Sequence, residues 1–200
     1  MRLRATLAAL TVAAAGVGAL AAVTDGFRTA TTDGAWRLAV AARPRALPDV
    51  TLVDQTGATF RLSALRGRPV LVAFFYTNCP AICGLLASQF QLALDALLKR
   101  PGGREVRLLS ISFDRARDTV AVLADYAERL GADGRTWRVA RVADPAELEA
   151  LLDAFAVVVL PDGVGGFVHN AAIYRVDADG RLTRVYDPLA ADRTIADLAR

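Results

Sequence analysis

The run PVLVAFFYT, Pro69 to Thr77, constrains this chain more than any other stretch, because it is continuously apolar and rich in β-branched and aromatic residues. A strand with one wet face alternates apolar and polar side chains; one that never alternates reads as a central strand buried on both faces. Covering both faces takes further layers of structure. A chain of 200 residues, 54% of them hydrophobic, can build those layers around one core. A second full domain is not expected at this length.

The flanking patterns supply the layers. VTLVDQTGATFRL, Val50 to Leu62, reads as two short strands about Gly57, and LSALRG as a turn before the central strand. From Pro80 to about Lys99, apolar residues at Ile82, Leu85, Leu86, Phe90, Leu94, Leu97 and Leu98 have the spacing of an amphipathic helix, which PGG ends. A second unit follows, with strand EVRLLSISFD, Glu105 to Asp114, and a helix from about Thr119 to Leu130 ahead of Gly131. In DPAELEALLDAF, Asp144 can cap a third helix with Pro145 at its first position. FVHNAAIYRV and RLTRVYD, joined by DADG, predict a hairpin. Trp137, in RTWRVARV, is expected in core or strand packing. The expected class is α/β, a thioredoxin-like fold in which helices flank a mixed central sheet and a β-hairpin is inserted or terminal.

The N-terminus reads differently. Arg2 and Arg4 precede a run without charge from Ala5 to Thr24, the pattern of an export signal. As a helix, Ala5 to Val23 would span roughly 28 Å, enough to anchor the chain in a bilayer, whereas Ala19-Leu20-Ala21 has the small-x-small form of a cleavage site. Residues 1–24 are therefore read as a signal peptide or membrane anchor, 25–46 as a linker, and 47–200 as the folded domain. The expected location is extracytoplasmic, in the periplasm or on the outer face of the cytoplasmic membrane. The formal charge is +3, two units of it from Arg2 and Arg4, which gives no reason to expect a nucleic acid partner.

Both cysteines lie directly after the central strand, in FFYTNCPAICG. Cys79 is expected at or near a helix N-cap, with Pro80 at the first helical position. There the helix dipole and unpaired N–H groups favour a thiolate. Cys83 follows one turn later on the same helix face, so the two sulfurs can meet on a metal ion or, with distortion, on each other. As a structural staple the pair would close a very short loop and stabilise little. As a redox couple it carries one residue more than the C-x-x-C of thioredoxins. Two thiolates are too few for a closed zinc site, but they suit Cu(I), and an added imidazole suits Cu(II) as well. The chain has a single histidine, His169, 86 residues after Cys83 and behind the glycine-rich PDGVGG, a loop read either as a plain surface turn or as a movable one.

YTNCPAIC, ISFDRARDT and VHNAAIYRVDADGRL, in this order, resemble the Sco/SenC family of copper-delivery proteins from about Val50 to Asp187. The resemblance implies a thioredoxin fold held at the membrane by an N-terminal helix, and one copper ion bound by Cys79, Cys83 and His169, with Asp114 supporting the site. It further implies a role in assembling the dinuclear copper centre of cytochrome c oxidase subunit II, or of another cuproprotein client, with another copper chaperone as donor. Where the family usually reads C-P-x-x-C-P, Gly84 stands at the second proline and Ala81 at a common aspartate; Asn78 and Arg115 also depart from the pattern, and no ligand is lost.

A second reading is enzymatic. An extracytoplasmic thiol-disulfide oxidoreductase would use Cys79 as the attacking thiolate and Cys83 as the resolving thiol, with no need of His169. A peroxide-scavenging thiol enzyme shares the expected fold but lacks a specific signature here. Asp177, Asp179 and Gly180 begin like a calcium loop, yet the closing glutamate is absent and a hairpin turn is expected. No Ser-His-Asp set, P-loop or dinucleotide fingerprint is present.

Overall fold

A computed structural model describes residues 2–23, 31–79, 82–99, 106–188 and 197. The chain divides into two compact units, Met1–Ala42 and Arg43–Arg200. The first contains helix α1 (Arg2–Val23), whose described side chains are nearly all exposed, and helix α2 (Thr32–Ala42). Helix α2 and a short strand β1 (Arg45–Ala46) fall in the stretch that the sequence presents as a tether. Among the described residues no helix is long and apolar enough to cross a membrane.

The second unit is built on the predicted central strand, β4 (Val70–Phe75), all six residues of which are buried. β4 pairs in parallel with β5 (Arg107–Ser112), and β5 in parallel with β6 (Trp137–Val142). Antiparallel strands extend both flanks: β2 (Thr51–Asp54) and β3 (Thr59–Arg61) beyond β6, and β9 (Ile173–Val176), β10 (Arg181–Tyr186) and β1 beyond β4. The order among the described residues is β1-β10-β9-β4-β5-β6-β2-β3. This is a mixed α/β sheet of thioredoxin type.

Alternation along β4 assigns its two faces. Leu71 and Ala73 pack with Leu86, Phe90 and Ala93 of helix α3 (Ile82–Leu98) and with Trp137, while Phe75 stacks at 4.6 Å on Tyr126 of helix α4 (Val120–Leu130). Phe74 points the other way, edge-on at 5.1 Å to Phe155 of helix α5 (Pro145–Phe155). Each such fully buried large side chain contributes about 1.5–3 kcal/mol. The local helix signals act as read: Thr119 caps α4, Gly131 ends it with φ +69°, and Asp144 accepts the Ala146 N–H ahead of Pro145. The expected start of α3, with Pro80 as its first residue, falls on residues 80–81, outside the described residues.

One expectation is corrected. FVHNAAIYRV is not a single strand: β8 (Phe167–His169) leaves the main sheet and pairs with β7 (Val159–Pro161) in a separate two-stranded hairpin, and only Ile173–Val176 joins β10. Asn170 makes the break. Its side chain accepts the Val158 N–H at 2.7 Å and donates to the Ala156 carbonyl at 2.9 Å, so the chain leaving β8 is tied to the end of α5 rather than to the sheet. Ala156 itself is held at φ +53°, a left-handed turn that an alanine adopts only against a cost of about 1 kcal/mol or more. DADG forms the expected β9–β10 turn, with Asp177 accepting the Asp179 and Arg181 N–H groups.

Candidate functional site

The site grows from the C-terminal end of β4. Beyond Phe75 the strand hydrogen bonds stop, and Tyr76, Thr77 and Asn78 turn the chain to Cys79, which is half-buried. Cys83 falls in the first turn of α3, four residues on; its side chain lies outside the described residues. Gly84 is exposed, and a Cβ built on it would meet nothing, so neither packing nor backbone conformation demands a glycine there.

The turn that carries Cys79 is fixed from inside. Asp118 is fully buried and accepts three hydrogen bonds: from the Thr77 N–H at 3.1 Å, from the Thr77 hydroxyl and from the Ser112 hydroxyl. A buried carboxylate is tolerated only when donors surround it, and here the donors come from the end of β4 and from β5. Asp118 thus ties the cysteine turn to the neighbouring strand.

His169 arrives on β8. In this short strand Phe167 and His169 face inward and Val168 outward, by the two-residue period of extended chain. The imidazole lies edge-on to Phe113 at 5.0 Å between ring centroids and to Tyr76 at 6.3 Å. Tyr76 also meets Phe167 edge-on at 5.3 Å, and its hydroxyl both donates to the Phe167 carbonyl and accepts the Phe167 N–H, each at 3.1 Å. The histidine hairpin is therefore anchored on the residue that leads into the Cys79 turn. Burial pushes the His169 pKa below its ordinary value of 6.5, partly offset by the 3.1 Å contact of Nδ1 with the Asn170 carbonyl. Since a carbonyl only accepts, that contact leaves the neutral ring's lone pair on Nε2.

Asp114 is buried and acts through Arg117. The Arg117 Nε donates to the Asp114 carboxylate, its Nη1 donates to the Gly165 carbonyl, and its guanidinium lies 5.3 Å from the centre of the Phe167 ring. Together with Asp162, whose carboxylate accepts the Val164 and Gly166 N–H groups at 2.9 and 2.8 Å, this closes the PDGVGG loop as the tip of the β7–β8 hairpin. Gly163 and Gly165 serve the positive φ values, 81° and 95°, that the tip requires.

Arg117, Asp118 and Tyr76 are not among the candidate site residues that the sequence offers. The signal was available only as a pattern: SISFDRARDT closes a buried strand on Ser112 and follows it with two aspartates and two arginines. Among the described residues no three His, Cys, Asp or Glu side chains cluster as a metal site. What the structure brings together is His169, Tyr76, Phe113 and, through Arg117, Asp114; the placement of Cys83 against them lies outside the described residues.

Residues 40–200 match the SCO1/SenC family model. Protein SenC of Rhodobacter capsulatus is 28% identical over 74% of this chain and 66% of its own length, and a SCO1 homologue of Bacillus subtilis is 28% identical over 68% of this chain and 71% of its own. The chain thus spans about two thirds of the length of these relatives. Among solved structures, ScoI of Bradyrhizobium japonicum, determined with copper bound, superposes with a TM-score of 0.65 at 29% identity, covering 78% of this chain and 98% of that one.

Proposed function

The chain belongs to the SCO1/SenC family, and from that premise we propose that it is an extracytoplasmic copper-binding metallochaperone in which Cys79, Cys83 and His169 hold the metal. The observation that carries this reading is the seating of His169, distant in sequence, on the aromatic wall shared with Tyr76, three residues before Cys79. A burial-lowered pKa keeps its imidazole neutral and able to donate a lone pair near pH 7. Two thiolates and one imidazole form a soft donor set suited to Cu(I), and one that Cu(II) accepts with a further oxygen ligand. Copper is cargo. Its transfer proceeds by ligand exchange with the cysteines and histidines of a cuproprotein client, of which the dinuclear copper site of cytochrome c oxidase subunit II is the proposed instance. Asp114 supports the site by holding Arg117 against the hairpin that bears His169. The apolar leader, as anchor or export signal, places the folded unit outside the cytoplasm.

The test is the copper content and visible absorption of the full chain. One copper per chain is expected, with binding reduced at least tenfold in Cys79→Ala, Cys83→Ala and His169→Ala. Unchanged binding in His169→Ala overturns the three-ligand assignment. If instead His169→Ala retains full disulfide-reducing activity that Cys79→Ser abolishes, with no copper bound by either protein, the chain is the thiol-disulfide oxidoreductase of the second reading.

A further inference from the structure

β4, β5 and β6 are parallel and begin at the same level, at the end of the sheet opposite Cys79: Val70 pairs with Arg107, and Leu108 with Trp137. Leu71, Leu108 and Trp137 share the core formed with α3, so strand alternation puts Arg107 on the other face, and with it Arg138, which pairs with Leu109. The two arginines thus stand at diagonal positions of neighbouring strands, within reach of each other's long side chains, where like charges destabilise a sheet. Arg68, just ahead of β4, and Arg135 and Thr136, just ahead of β6, complete a cleft of about 350 Å³ with them.

Nothing described in the molecule offsets this charge. Arg68 and Arg135 are exposed, Arg107 and Arg138 half-buried, and among the described residues no ion pair involves any of the four. Asp133, two residues before Arg135, spends its carboxylate on the backbone N–H groups of Arg135, Thr136 and Trp137 at 2.7–3.0 Å. Burial, and then the charges of Arg68 and Arg138, push the Arg107 pKa below its ordinary value of 12.5. Arg138 is also held in place beforehand: its Nε donates to the Gly134 carbonyl at 3.0 Å, and its guanidinium lies 4.7 Å from the centre of the Phe60 ring.

Surfaces ordinarily intersperse charges of both signs, whereas a cleft lined by one sign focuses its field on whatever enters. We infer that this cleft is a binding site for a small multivalent oxyanion of the phosphate class. Size points to a small ligand, because the volume lies at the low end of small-molecule sites, roughly 300–1,000 Å³. Charge points to phosphate, because four guanidiniums around so small a space call for several negative charges on few atoms, and their forks match phosphate oxygens in pairs. A monovalent carboxylate or halide would leave most of the repulsion standing. The cysteine turn lies a strand length away, about 20 Å along β4, and the inference does not rest on the copper reading.

The full chain, dialysed free of metal and held in non-ionic detergent, is titrated calorimetrically with inorganic phosphate, pyrophosphate and acetate at matched ionic strength, since screening alone acts on exposed charges. One pyrophosphate per chain is expected, bound more tightly than phosphate, with no measurable acetate. Replacing Arg107→Gln together with Arg138→Gln should weaken pyrophosphate at least tenfold through the loss of two charge-assisted pairs. In the unsubstituted chain, pyrophosphate should raise Tm and shield the four arginines from phenylglyoxal, a result that holds even if the double variant folds poorly. Absence of both effects in the unsubstituted chain, or undiminished affinity in a folded double variant, overturns the assignment. Pyrophosphate binding that appears only in Glu105→Gln also overturns it, since the cleft's charge would then be met from within the chain. Binding to phosphatidylglycerol vesicles or to polyglutamate that pyrophosphate does not displace overturns it in favour of a membrane surface or an acidic protein.

Discussion

The two arms of the candidate site are built in opposite ways. The cysteine arm continues a strand buried along its whole length and is fastened by a fully buried carboxylate, Asp118. The histidine arm is a short hairpin outside the main sheet, with Leu160, Val164 and Val168 exposed, held down by the Tyr76 hydroxyl, ring contacts and one arginine. One arm is part of the core and the other is laid onto it. A metal shared between them would then be gripped on a fixed side and on a side that separates at lower energy, which suits the proposed release of copper.

The sharpest way to break this contrast is Asp118→Ala. It strands the Thr77 N–H and two hydroxyls without their acceptor, and is expected to lower stability by about 3 kcal/mol or more, read as a fall in Tm. A change below 1 kcal/mol would mean that the cysteine arm is not core-fastened. Tyr76→Phe removes the hydroxyl that joins the arms and is expected to cost about 1 kcal/mol, with faster amide exchange at Phe167 than at β4. Equal exchange at both would erase the difference between them. Arg117→Gln should act on the histidine arm alone: because the guanidinium is partly exposed, the loss of stability is expected to stay under about 1 kcal/mol, while copper affinity falls severalfold.

The smallest expected effect is a pH slope. His169 has a folded-state pKa below its unfolded value, so the unfolded chain binds the proton more readily. Stability from the neutral ring is present above about pH 6.5 and is lost as pH falls from there through the folded pKa. His169 is the single histidine, so His169→Gln should remove the slope from Tm measured between about pH 5 and 7. A slope that persists would assign it to carboxylates instead.

Much of the fold was legible because its signals are local. β4 announces itself by a run without polar residues, and α4 and α5 by caps and a terminal glycine at the expected positions. The histidine hairpin was not legible. FVHNAAIYRV has the composition of one strand, and only the bonds of Asn170 to Ala156 and Val158 divide it. ISFDRARDT was legible as a motif but not as a machine, since the same aspartate could be solvated or buried.

The sequence by itself determined the central strand, the boundaries of α4 and α5 and the cysteine spacing, because each depends on periodicity or on capping within a few residues. Only the tertiary structure decided that Asp118 lies inside, that Arg117 spans from Asp114 to the hairpin tip, and that His169 rests against Tyr76. The physical reason is the same in each case. A charged or polar side chain enters a protein interior only where donors and acceptors from distant segments converge on it, and that convergence is a property of the assembled fold.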